Sequence, residues 1–228
     1  MGRAEPTTFR LAAASHGRTT MSAIAFILAA TLWQIAAPQQ AFDPSTLAAK
    51  DQHQGFLVAA IPFSDAAAAK TELDKADPIK AGILPVEVYF RNNTTEPVRV
   101  DLNTIRLDID APDGQKLHLQ AMSLDQAASA IAHPKGASAP SGRRFPPIIA
   151  TPIHDSKQID AAKKLQPVMF QTDVVPPGST VHGFMFFDLN HDFELLPDAT
   201  LYVPDVKSVA SSEAMIYFEI PLKVRDSH

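Results

Sequence analysis

Between Ile83 and Ile109 the chain reads ILPVEVYFRNNTTEPVRVDLNTIRLDI, three short runs in which apolar and polar residues alternate. Val86, Val88 and Phe90 fall on one side of the first run, with Glu87, Tyr89 and Arg91 on the other. Val98, Val100 and Leu102 repeat the pattern, and so do Ile105, Leu107 and Ile109. A period of two sends successive side chains to opposite faces of a sheet, so each run predicts a strand with one buried face and one wet face. Polar turns separate the runs, and the whole is the signature of an antiparallel sandwich.

The alternation is interrupted and then returns. Gly55–Pro62 (GFLVAAIP) is a continuous apolar run and predicts the first strand, and Ser64 is the expected N-cap of an alanine-rich helix over Asp65–Lys75. Pro112-Asp113-Gly114 marks a turn, and Lys116–Gln120 predicts a further strand. Residues 122–167 break the pattern: Leu124–Ala132 starts at Ser123 with helical character, His133–Pro152 is rich in proline, glycine, serine and alanine, and Ser156–Leu165 predicts a second short helix. Strand character resumes at Val174, with Gly178 placed for the positive φ of a type II turn. Val181–Leu189 (VHGFMFFDL), Thr200–Val203 and Met215–Val224 follow, the last with Ile216, Phe218, Ile220 and Leu222 directed inward. Proline (19) outnumbers glycine (9), which suits many turns and short strands better than a helical bundle. About eight strands with one helical interruption predict a mainly β chain. The first reading is an immunoglobulin-like antiparallel β-sandwich with a helical and loop insert; a jelly roll or open barrel is the alternative.

The N-terminus differs in kind. Arg3, Arg10 and Arg18 precede the apolar run Met21–Ala37, and Pro38-Gln39-Gln40-Ala41 follows. A positive lead, an apolar core and small residues after it predict an export signal. The run is short for a span of about 20 residues and is interrupted by Thr31 and Gln34, so a retained membrane anchor is the alternative. The expected organisation is therefore residues 1–41 as signal and linker, 42–54 as a further linker, and 55–228 as a single β-sandwich domain with an insert at 122–167. Without residues 1–41 the chain keeps 17 basic and 24 acidic groups, a net charge of −7 against −5 for the whole. Such a surface repels nucleic acid and anionic lipid, so neither is an expected partner, and membrane contact is expected only through residues 21–37. The chain has no cysteine, which excludes disulfides, thiolate metal sites and thiol nucleophiles.

Taken together, the strand GFLVAAIP, a short helix, AGILPVEVYFRN, PVRVDLNTIRLDI, VVPPGSTVHGFMFFDL and a final FEIPL strand resemble a loose family of exported bacterial proteins with immunoglobulin-like domains. The resemblance covers residues 55–120 and 168–224. It implies an envelope-associated binding or structural module and carries over no catalytic residue.

Few residues point to chemistry. Asp188-Leu189-Asn190-His191-Asp192-Phe193-Glu194 places oxygen side chains at alternating positions, as a calcium loop does, but without its glycine or distal glutamate; it is read as a polar turn between strands. His182, His191 and Asp192 would suffice for a metal or a proton shuttle if they met near one end of the fold, although their spacing matches no local ligand motif. His133 and His154 flank the loop, and Ser141-Gly142-Arg143-Arg144 reads as a solvated turn. Asn92-Asn93-Thr94-Thr95 contains two overlapping glycosylation sequons and reads as a hairpin turn. No nucleophile elbow, phosphate loop, zincin motif or dinucleotide fingerprint occurs. No catalytic, cofactor-binding or metal-binding residue is therefore expected, and no cofactor. Phe184 and Phe186 oppose Met185 and Phe187, so this strand needs cover on both faces, supplied by the insert 122–167 or by a partner. The functional expectation is an exported, non-enzymatic binding or assembly module of the cell envelope with an unknown protein or envelope component as partner. The alternatives are a metal-dependent hydrolase using the His182–Asp192 region and a membrane-anchored structural protein.

Overall fold

A computed structural model describes residues 42–112, 114–134, 155–211, 214–215 and 217–222. The expected signal or anchor, the Ser141–Arg144 turn, His154 and Ile216 lie outside the described residues. The chain is mainly β. Eleven strands are described: β1 Lys50–His53, β2 Phe56–Pro62, β3 Ile83–Asn92, β4 Val98–Val100, β5 Arg106–Asp110, β6 Lys116–Gln120, β7 Val174–Val175, β8 Thr180–Asp188, β9 Ala199–Val203, β10 Val206–Ser208 and β11 Phe218–Pro221. The described α-helices are α1 Ala66–Glu72, α2 Leu124–Ala132 and α3 Ser156–Leu165. The strands form three antiparallel sheets in the orders β1-β2-β3-β8, β10-β4-β7 and β11-β9-β5-β6.

The alternating block divides among all three sheets, with β3 in the first, β4 in the second and β5 in the third. The turn after Asn92 and a 3-10 helix at Leu102–Thr104 redirect the chain between them. The inward positions nevertheless converge. Val86, Val88 and Phe90 of β3, Val98 and Val100 of β4, and Leu107 and Ile109 of β5 join one apolar cluster with Met185, Phe187, Leu201, Phe218 and Ile220. Burying these side chains is the main favourable term for the fold, at roughly 1.5–3 kcal/mol for each fully buried one.

Residues 42–54 are not a linker. Lys50–His53 pairs antiparallel with β2, from Lys50 opposite Ala59 to His53 opposite Phe56. Gln54 and Gly55 form the turn, both with positive φ (48° and 80°), the geometry of a tight two-residue hairpin. The strand KDQH is wholly polar and lies at the sheet edge with no buried side chain, so periodicity does not reveal it; besides the pairing with β2, Asp51 accepts the Glu219 amide at 3.1 Å and the His53 ring packs on Phe218 at 5.3 Å. Asp65, rather than Ser64, caps α1, its carboxylate accepting the Ala68 amide at 2.8 Å. That helix stops at Glu72, and Asp74 and Lys75 follow in the left-handed region.

The insert begins and ends as the sequence predicts. Ser123 and Gln126 form a reciprocal capping box on α2, and Asp155 caps α3 by accepting the Gln158 amide at 2.8 Å. Both helices pack over the outer face of β8, where Ala127 and Leu165 meet Phe184, Phe186 and Ile83, joined by Leu73 just beyond α1. The apolar strand is therefore covered from within the chain. The first residue of the insert and the residue just after it also occupy the edge of the first sheet. The Met122 amide donates to the Phe186 carbonyl at 2.8 Å, and the Phe184 amide donates to the Val168 carbonyl at 2.9 Å. An open edge strand invites pairing with other chains, and these bonds occupy part of it.

Candidate functional site

Two side-chain clusters on outward sheet faces hold the chemistry of the described residues. The first lies on the part of the first sheet that the helices leave uncovered. Glu87 and Tyr89 are alternate residues of β3, and the register places His182 of β8 directly opposite Tyr89. The rings of Tyr89 and His182 stack at 5.2 Å with 9° between their planes. His182 Nδ1 lies 2.9 Å from Glu87 Oε1. The His182 side chain is 60 % exposed and that of Glu87 only 13 %, so the pair presents an imidazole to solvent and keeps the carboxylate beneath it.

A short N-terminal segment lies beside this cluster. The Phe42 ring packs on Tyr89 at 4.9 Å, and Asp43 accepts a hydrogen bond from Arg91 at 2.7 Å. Leu47 contacts the patch formed by Leu57, Ala59 and Tyr89. Tyr89, expected on a wet face, is buried by these neighbours. Burial, a hydrogen bond to Glu87 and the negative charges of Glu87 and Glu72 push its phenol above the ordinary tyrosine range.

His182, His191 and Asp192 are not brought together. His182 pairs with Tyr89 near one end of β8, whereas His191 and Asp192 follow its other end, where Asp188 pairs with Ile83. The six residue steps from 182 to 188 span about 20 Å of strand. The Asp188–Glu194 stretch is a tight turn. Asp188 accepts the Asn190 amide at 2.9 Å, Asn190 and His191 take positive φ, and a 3-10 helix begins at Phe193. The turn packs so closely on Gly82 that a Cβ there would lie 2.7 Å from the His191 nitrogen. Among the described residues no three histidine or acidic side chains converge as metal ligands would.

The second cluster, on the outer face of the third sheet, was not singled out from sequence. Four strands set it in cross-strand rows. His118 of β6, Asp108 of β5 and Thr200 of β9 form one row, and Gln120, Arg106, Tyr202 and Glu219 form the next. Asp108 sits at the centre. It receives the Arg106 Nε at 2.8 Å and lies 2.6 Å from His118 Nδ1. The Arg106 guanidinium also lies over the Tyr202 ring, 4.1 Å from its centre, and Tyr217 packs against Tyr202 at 5.4 Å. Lys116 pairs with Asp110 at 3.0 Å beside them. Partial burial of Asp108 opposes its ionisation, but the hydrogen bonds and charges of Arg106 and His118 outweigh it and hold the carboxyl below the usual range. Asp108, Lys116, His118, Thr200, Tyr202 and Glu219 line a depression of about 230 Å³. The sequence signal was present in RLDID and KLHLQ, whose outward positions are all polar or charged. Only the pairing of the two runs across the Pro112–Gly114 turn places Asp108 against His118.

The sequon residue Asn92 is a structural pin. It is buried at the end of β3 and donates to the carbonyls of Glu96 (2.7 Å) and Val175 (2.9 Å). Its own oxygen accepts from the Thr94 amide and hydroxyl, at 2.9 and 2.7 Å. His133 pairs with Asp155 at 2.9 Å, joining the C-terminal end of α2 to the start of α3.

No protein-family model and no curated protein matches the chain. Among solved structures, it is similar to a functionally unknown protein from Listeria monocytogenes EGD-e, at 13 % identity and a TM-score of 0.36, over 77 % of this chain and 82 % of that one. No described helix is long and apolar enough to cross a membrane.

Proposed function

We propose that the protein is an exported module that binds or helps assemble a component of the cell envelope. The observation that carries the binding reading is the outer face of the third sheet. Its polar side chains are fixed by one another around Asp108 and sit beside two tyrosines, over strands whose inward residues belong to the main core. Groups held in place before a ligand arrives lose little freedom when it binds. Compartment rests on sequence: the arginine-led apolar run and the small residues after it support export. The scaffold reading is an immunoglobulin-like sandwich, supported by the shared core between the sheets β1-β2-β3-β8 and β11-β9-β5-β6.

Cell fractionation combined with N-terminal sequencing tests the reading. A mature protein outside the cytoplasm that starts between residues 38 and 42 supports export with cleavage. An intact N-terminus in the membrane fraction supports the anchored structural alternative, for which Met21–Ala37 is the specific observation. Recovery of the intact chain from the cytoplasm sinks both. The hydrolase alternative is left without a local assembly at His182–Asp192, because those groups lie toward opposite ends of β8.

A further inference from the structure

We infer that the outer face of the third sheet binds an uncharged saccharide chain, an inference that rests on the binding-module reading and names its ligand class. Three features of the face select this chemistry. First, its cations are matched internally: Arg106 and His118 meet Asp108, and Lys116 meets Asp110, while Glu219 stands on the same face outside these pairs. A surface whose cations already pair gains little from an acidic ligand but offers a dense set of donors and acceptors. Second, those donors and acceptors are planar groups of fixed orientation. Asp108 holds Arg106 and His118 in place, and Thr200 and Tyr202 add hydroxyls in adjoining rows. Vicinal hydroxyls of a sugar ring match such paired planar groups, each hydroxyl both donating and accepting. Third, an aromatic ring stands next to them. Tyr217 is half exposed and packs against Tyr202 with the ring planes tilted by 38°, and the Tyr202 ring is partly taken by Arg106. The C–H face of a pyranose is apolar and packs on such a ring while its hydroxyls stay wet, the same division of apolar body and polar tip that makes tyrosine useful at interfaces.

The depression lies across four strands, which fits a segment of an extended chain. In this assignment Tyr217 stacks on one sugar ring, and Asp108 and His118 hydrogen-bond the hydroxyls of that ring or its neighbour. The His118 side chain is half exposed, and in this assignment its Nε2, across the ring from the Nδ1 that meets Asp108, serves the ligand.

The test is titration of the purified full chain with chitotetraose, a neutral oligosaccharide, followed by calorimetry and by amide chemical shifts. The expected result is saturable binding that is insensitive to salt, with shifts centred on residues 106–108, 118, 202 and 217. Replacing the stacking ring in Tyr217→Ala should weaken binding by about tenfold. Asp108→Asn, which keeps the shape but releases Arg106 and His118, should weaken it by a similar factor. Amide spectra of each variant check that the fold is intact; if Tyr217→Ala disturbs it, Tyr217→Phe, which keeps the ring, must retain binding while Tyr217→Ser does not. No shift or heat at millimolar tetrasaccharide overturns the assignment. So does binding unchanged in both variants, or an affinity that falls with salt, which would mark a charged ligand. A cytoplasmic location would sink the envelope reading and leave this titration unaffected, so the two failures are told apart.

Discussion

The side-chain amide of Asn92 donates to the main-chain carbonyl of Val175 at 2.9 Å, joining residues 83 positions apart in the sequence. One bond ties the end of β3 to β7, and so connects the first sheet with the second. Asn92 is also the hinge of the turn that follows β3, because Thr94 donates to its oxygen twice and Glu96 accepts from its nitrogen. An apparent modification site is thus a buried tie between two halves of the chain.

Asn92→Ala should therefore destabilise the protein by about 3 kcal/mol, since it takes the side-chain donor from the buried Val175 carbonyl and leaves the Thr94 amide without its acceptor. Asn93→Ala, one residue on and exposed, loses a bond from Arg91 and should change stability by less than about 0.5 kcal/mol. Urea denaturation of the two variants measures the contrast. Equal stabilities would mean that the tie between β3 and β7 contributes nothing.

Phe184 and Phe186 should behave as core residues. Truncating Phe186 to alanine removes a fully buried ring from the cluster under α2 and α3 and should cost about 3–5 kcal/mol. Phe184→Ser should do the same and add an unpaired hydroxyl. A variant that stays folded and monomeric at wild-type stability would show that the insert does not provide the cover.

Two glycines with similar backbone angles should respond differently. Gly82 and Gly178 have φ of 76° and 67°, so alanine is strained at both, by about 1 kcal/mol. At Gly178 nothing lies within 4 Å of the added Cβ. At Gly82 it would meet the His191 backbone at 2.7 Å, so the turn after β8 must move. Thermal denaturation should show Gly82→Ala clearly below Gly178→Ala; a Gly178→Ala protein melting as low as Gly82→Ala would mean that the contact with His191 is unimportant.

Acid should expose the role of two carboxylates. Asp155 is held below the usual carboxylate range by the Gln158 amide, against burial, with help from His133; Asp108 is held there by Arg106 and His118, against its own partial burial. A carboxyl whose folded pKa is depressed binds its proton more readily in the unfolded chain. Its contribution to stability is complete above the unfolded value of about 4 and is lost as pH falls through the lower folded value. Urea midpoints measured from about pH 6 down to about pH 2 should fall less steeply in Asp108→Asn and Asp155→Asn than in the parent. Parallel curves in all three would show that neither carboxylate is coupled to folding.

Local pattern alone already determined much of this protein. The two-residue period of VEVYF, VRV and IRLDI placed their inward side chains correctly, because a strand has no other way to divide its residues between core and water. Gly178 took the positive φ its turn required, and Ser123 capped the helix it precedes, because both effects act within a few residues. What the pattern could not decide was which strands pair. It did not show that β3, β4 and β5 join different sheets, since sheet membership depends on the backbone bonds of residues such as Val175 and Val206, far along the chain. Nor could it identify β1, whose side chains are all polar and whose place comes from edge pairing. The same limit applied to the sites. His182 and His191 are near in sequence and stand toward opposite ends of a strand, while Asp108 and His118 gain their meaning only when β5 and β6 fold against each other. Sequence fixes which face a side chain takes because that is set by the geometry of adjacent residues; its neighbours across the sheet are set by long-range register, which only the tertiary structure decides.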